Sequence, residues 1–119
     1  FQWLNEPRVT GAQKQILGLG RIKPGKGHTR HNHEDSEEFI YFLEGKANQT
    51  IENEDGVQEK ELGPGEMVYI PQGAYHSTIN VGDGDLVFLC CYLNAGSELA
   101  IAKDAIEILP PKNNWKKEE

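Results

Sequence analysis

GKGHTRHNHEDSEEFIYFLEG, residues 25–45, is the stretch on which the fold turns. It opens on glycines, passes two histidines spaced i, i+2, crosses an acidic bend and ends in an apolar run closed by Glu44-Gly45. Successive residues of an extended chain point to opposite faces, so His31 and His33 project to the same side. If Glu34-Asp35-Ser36-Glu37 bends the chain, Glu38 enters the next strand on the face of Ile40 and Phe42. A second stretch, GEMVYIPQGAYHSTIN at residues 65–80, carries a Pro71-Gln72-Gly73 turn and then His76, which shares a face with Thr78 and Asn80. Three imidazoles and one carboxylate suit a borderline divalent ion such as Fe, Mn, Zn, Ni or Co, one per chain. The three ring nitrogens bind only when neutral, so loading is expected to weaken in acid.

Outward from these stretches, short apolar or alternating runs alternate with glycine and proline punctuation. Gln15–Ile22, Phe39–Leu43, Ala47–Glu52, Val57–Leu62, Met67–Ile70, Tyr75–Val81 and Leu86–Leu93 read as strands. Turn signals lie between them, and Asp55-Gly56 is the strongest hairpin signal. Many short strands at this spacing predict an all-β sandwich or barrel rather than a βαβ array. LVFLCCYL at 86–93 is apolar on both faces, as a central strand or one facing a partner subunit requires. SELAIAKDAIEIL at 97–109 fits either a helical stripe through Leu99, Ala102 and Ile106 or an extended piece, and Trp115 punctuates a polar tail.

Both signatures resemble those of the cupin family. Gly25-x5-His31-x-His33-x4-Glu38-x6-Gly45 is similar to the first, and Gly65-x5-Pro71-x-Gly73-x2-His76-x3-Asn80 to the second. The resemblance covers residues 25–80 and implies a double-stranded β-helix, the jelly-roll cupin barrel, with metal ligands His31, His33, Glu38 and His76. It also implies that Gly25, Gly45, Gly65 and Gly73 serve turns or close backbone approaches, that Pro71 fixes a turn, and that Asn80 is structural. A single cupin domain over residues 1–119 is expected, with the barrel core at about 13–93 and a C-terminal extension at 94–119.

Other side chains have two readings each. Gln49, Tyr69, Thr78 and Tyr92 are the candidates for a substrate-pocket wall; Gln49 and Thr78 also fit ordinary strand placement, and Tyr69 and Tyr92 also read as core or dimer-interface aromatics. His28 stands at the wrong parity to join His31 and His33 and reads as a rim or surface residue. Arg21 and Arg30 read as solvated cations or as anchors for a substrate carboxylate. One of Cys90 and Cys91 must face inward, most simply as an inert buried thiol.

With 19 Asp plus Glu against 12 Lys plus Arg, the 119-residue chain carries a formal charge of -7, which argues against nucleic acid as a partner. It has no apolar run long enough to cross a bilayer and opens on no charged-then-apolar leader. Cys90 and Cys91, its only cysteines, are adjacent and poorly placed for an unstrained disulfide, which fits the reducing cytoplasm. Four protein ligands leave about two positions open on an octahedral ion, enough to hold a chelating substrate. The expected function is therefore metal-dependent chemistry on a small polar molecule: a carboxylate, enediol or dicarbonyl. Dioxygenase, decarboxylase, isomerase and lyase all use such a centre. The alternative is a non-catalytic metal-containing module that binds or senses a small ligand. A homodimer is expected, since small cupins commonly extend one another's sheets.

Overall fold

The computed structural model describes residues 1–7 and 9–93. The sequence readings for residues 94–119, including the stripe at 97–109 and Trp115, lie outside them. Nine strands are present among the described residues: β1 (Gln2–Asn5), β2 (Ile16–Ile22), β3 (Gly27–His31), β4 (Glu38–Glu44), β5 (Ala47–Asn53), β6 (Gly56–Leu62), β7 (Met67–Ile70), β8 (His76–Asn80) and β9 (Leu86–Tyr92). They form two antiparallel sheets, β1-β2-β9-β4-β7 and β3-β8-β5-β6. This is the jelly-roll barrel that the resemblance to the cupin family implies.

Period-2 alternation makes the barrel. In β4 every second residue from Glu38 to Phe42 is buried and its neighbours are exposed. In β8 His76, Thr78 and Asn80 are buried, while Ser77 and Ile79 are less so. β9 lies between β2 and β4, the central position its two-sided apolarity requires. β1 was not expected: QWLN is short and lacks alternation, yet Trp3 is buried and the strand carries the sheet beyond the expected barrel start near residue 13.

Cross-strand registers stack the inward side chains in layers. The first runs His31–His76–Ile51–Gln58 across one sheet and Ile16–Tyr92–Glu38–Ile70 across the other. The second runs His28–Thr78–Gln49–Lys60 and Gly18–Cys90–Ile40–Val68. Below them Asn80–Ala47–Leu62 face Gly20–Phe88–Phe42. Burying Phe42 and Phe88, each at most 1% exposed, is worth about 1.5–3 kcal/mol apiece.

The glycine and proline anchors act as expected. Gly25, Gly45, Gly65 and Gly73 all take positive φ. A side chain at Gly45 would also meet the Asp85 carbonyl oxygen at 2.7 Å, so only glycine fits there. The Pro71 carbonyl accepts the Ala74 N–H at 3.1 Å, closing its turn. Asn80 is structural: its Nδ2 donates to the carbonyls of Ile22 and Gly84, and its Oδ1 accepts the Gly82 N–H. The β5–β6 hairpin turns through Glu54-Asp55, one residue before the expected Asp55-Gly56 pair. Gly56 alone takes positive φ there, and Asn53 Oδ1 accepts the Asp55 N–H.

Candidate metal centre

Four side chains from three parts of the chain meet in the first layer. His31 ends β3 directly opposite His76, the first residue of β8. His33 lies two residues beyond β3, and its carbonyl accepts the Gly73 N–H at 2.9 Å. Asn32 Nδ2 donates to the Gly73 carbonyl and Gln72 Nε2 to the Glu34 carbonyl, so the Pro-Gln-Gly turn is lashed to the histidine segment. The acidic bend is held at its far side by Ser36, 3% exposed, whose hydroxyl oxygen accepts the Leu93 N–H and whose proton goes to the Glu37 carbonyl. Ser36 delivers Glu38 to the interior. It escaped the sequence reading because a serine among four acidic residues carries no signal of burial.

Ring nitrogens of His31, His33 and His76 all lie within 4.8 Å of one another. Glu38 Oε1 is 3.3 Å from His33 Nε2 and 3.3 Å from His76 Nε2. Donors about 2.1 Å from a shared ion stand roughly 3.0–3.4 Å apart, so this spacing suits common coordination. These three atoms are buried with no hydrogen-bond partner among the described residues, which is costly unless something further satisfies them. The opposite ring nitrogens are already committed: His31 Nδ1 lies 2.6 Å from the Thr29 carbonyl and His76 Nδ1 2.9 Å from that of Ala74. Such bonds fix the tautomer that leaves Nε2 free to bind. The His33 ring stacks on Tyr92, with centroids 5.8 Å apart and planes 14° apart. The residues present therefore fit a divalent transition metal.

Electrostatics agree with the geometry. Burial pushes the Glu38 carboxyl up, but the approach of His33 and His76 outweighs it and holds the group at about 2. Burial lowers the His31 pKa, keeping the ring neutral further into acid than a solvated imidazole. Burial also pushes the Cys90 thiol well up, as expected of an inert inward-facing cysteine, while Cys91 faces the other side.

The pocket candidates separate. Thr78 and Gln49 are both buried and joined by a 2.6 Å hydrogen bond from Thr78 Oγ1 to Gln49 Oε1. Tyr92 is buried beside His33. Tyr69 is not a pocket residue: it is 49% exposed on the outer face and hydrogen-bonds Glu37 there. Its neighbours Val68 and Ile70 take the inward parity of β7.

His28 also needs correction. A bulge between His28 and His31 places three steps of β3 against two of β8, so His28 pairs with inward-facing Thr78. Its ring lies edge-on to His31 and Phe88, at 6.0 and 6.1 Å between centroids. Parity counted along the sequence cannot register an inserted residue. The arginines sit at the surface: Arg30 binds Glu52 at 2.6 and 3.1 Å and covers the Tyr75 ring, and Arg21 lies 3.5 Å from Asp85.

A two-sheet barrel with buried His33, His76 and Glu38 and half-buried His31 around one point defines a cupin with a divalent-metal centre. The chain belongs to the cupin family: the Cupin domain matches residues 18–92. It is 34% identical over 88 residues to the uncharacterized protein MJ1618 of Methanocaldococcus jannaschii, covering 74% of this chain and 67% of that one. It is 33% identical over 81 residues to the glucose-6-phosphate isomerase of Thermococcus kodakarensis, covering 66% of this chain and 42% of the isomerase. Among solved structures, the formate complex of Lactobacillus farciminis oxalate decarboxylase superposes with a TM-score of 0.65 at 32% identity, covering 70% of this chain and 25% of the decarboxylase. The chain thus spans less than half of either named enzyme.

Proposed function

We propose that His31, His33 and His76, through Nε2, and Glu38, through Oε1, hold one divalent transition metal (Fe, Mn, Zn, Ni or Co), and that the loaded protein is an enzyme acting on a small chelating carboxylate. The carrying observation is the convergence of three buried atoms, His33 Nε2, His76 Nε2 and Glu38 Oε1, that have no hydrogen-bond partner among the described residues. Enediols and dicarbonyls share the chelating geometry and remain within the class. Likeness to a decarboxylase and an isomerase supports chemistry at the centre rather than binding alone.

The bound ion would supply Lewis-acid polarisation of a substrate oxygen. The chain's own residues supply the rest. Thr29 and Ala74 carbonyls orient His31 and His76, the Tyr92 face fixes the His33 plane, and buried Ile70 beside the site and Ile40 and Phe88 below it exclude water. No helix among the described residues is long and apolar enough to cross a membrane. Free Cys90 and Cys91 support a cytoplasmic setting. The exposed outer face bearing Phe39, Tyr41, Leu43, Met67 and Tyr69 supports a homodimer.

Elemental analysis of the purified chain tests the reading, with about one metal per chain expected from a site of this composition. His31→Ala protein that stays fully loaded overturns the ligand set. Oxalate, small 2-oxo acids and sugar phosphates form the first activity panel. Stoichiometric binding without product from any of them returns the protein to the class of metal-containing binding modules.

A further inference from the structure

His31 stands on the least supported strand of the centre. Among the described residues β3 is an edge strand paired with β8 alone, and the bulge between His28 and His31 interrupts that pairing just before the ligand. A second attachment comes from the outer face, through Arg30. Its guanidinium lies 3.9 Å from the centre of the Tyr75 ring. It also donates twice to the Glu52 carboxylate, from Nε to Oε2 at 2.6 Å and from Nη2 to Oε1 at 3.1 Å. The Glu52 N–H donates in turn to the Tyr75 carbonyl at 2.8 Å, which closes a triangle over β3, β5 and the residue leading into β8.

That triangle sits directly behind two ligands. The Nδ1 atoms of His31 and His76 each approach the carbonyl two residues earlier, Thr29 at 2.6 Å and Ala74 at 2.9 Å. Arg30 is the middle residue of the first unit and Tyr75 the middle residue of the second. Successive side chains of an extended segment leave by opposite faces, so stacking the two middle residues outside fixes the two imidazoles inside. The His31 and His76 ring centroids are 4.2 Å apart. A substrate anchor would need the guanidinium fork that Glu52 already fills.

We propose that Arg30 is a positioning residue of the metal centre: stacked on Tyr75 and forked to Glu52, it sets His31 against His76 and so tightens the site on its ion. The inference rests on the metal-centre reading above and adds the outer-face contact that the four ligands depend on. The pair is partly exposed, with the Arg30 side chain 60% accessible, so the effect is modest.

Titration of the metal-free chain with Co²⁺, followed by visible absorption, tests it on wild type, Arg30→Met and Arg21→Met. Each variant removes one positive charge, a change that by itself favours a cation. Arg21 is the charge-matched control, 3.5 Å from Asp85 and paired with Val87 on the other sheet. Arg30→Met is expected to raise the Co²⁺ dissociation constant about fivefold, the worth of one exposed cation–π contact and one exposed ion pair. It should also shift the Co²⁺ absorption bands, while Arg21→Met leaves both as in wild type. Arg30→Lys, which keeps the charge and loses the fork, falls between wild type and Arg30→Met. A merely structural role would lower the melting temperature of the metal-free protein and leave affinity and spectrum unmoved. Unchanged affinity in Arg30→Met, or equal weakening in Arg21→Met, overturns the positioning role and leaves the metal centre standing. Wild-type protein that takes up no Co²⁺ overturns the metal-centre reading and the positioning role with it.

Discussion

The barrel has two seams where its sheets meet, and the chain treats them in opposite ways. At the β1–β3 seam Phe1 stacks on His28 with centroids 6.4 Å apart, packs against Trp3 at 4.7 Å and meets Phe88 edge-on at 6.4 Å. Gly18 and Gly20 make room, since a Cβ at either position would overlap the rings of Phe1 or Phe88. At the β6–β7 seam no aromatic ring lines the cleft, and Gln58 and Lys60 stand against Val68 across open space. One seam is packed with aromatic rings beside His28, and the other is an open cleft with polar side chains in its walls. Side-chain packing therefore closes one seam and leaves the other open, although among the described residues no strand pairing joins the sheets at either.

The largest expected effect breaks the centre that both seams serve. Glu38→Ala or His76→Ala should lose its metal on dialysis, read by elemental analysis, while the circular dichroism of the β-barrel persists. Next, Phe88→Ala removes the ring under the closed seam and should cost about 3–5 kcal/mol in denaturant unfolding. Gly20→Ala, which drives a methyl into the same ring, should cost about 1–3 kcal/mol. Similar losses from Val68→Ala at the open seam would erase the distinction between the two.

Acid sharpens the comparison at the centre itself. In metal-free protein the lowered His31 pKa makes the unfolded chain bind protons first, so stability is full above the ordinary value of 6.5 and declines as pH falls below it. Glu38 behaves in the usual carboxylate sense: its contribution is full above 4.5 and is lost as pH falls towards about 2. Melting temperature against pH should show both declines, and Glu38→Gln should remove the lower one. Thr78→Val, which leaves Gln49 Oε1 without its 2.6 Å donor, should cost about 1 kcal/mol. The smallest effect is expected at the open seam, where Lys60→Met should leave the melting temperature unchanged.

The metal centre was more legible than its surroundings. His31, His33, Glu38 and His76 announce themselves because metal chemistry demands particular residue types and the barrel demands particular spacings. Strand alternation likewise put Thr78 on the face of His76, while the inward placing of Gln49 came from the structure. It failed at His28, where a bulge shifts parity, and at Tyr69, whose aromatic character suggested a pocket but whose parity on β7 points it to Glu37. Ser36 and Lys60 were invisible for another reason. A buried serine and an inward lysine look like surface residues until the elements around them are assembled.

The sequence by itself determined the fold class, strand β2, the strands β4 to β9 and the four side chains that converge, because periodicity, turn chemistry and ligand type are local properties. Only the tertiary structure decided that β1 joins the sheet, that aromatic rings close one seam, and that Lys60 faces the open one. Those outcomes depend on which strands lie side by side and in what register, and that is set by contacts between residues far apart in the chain.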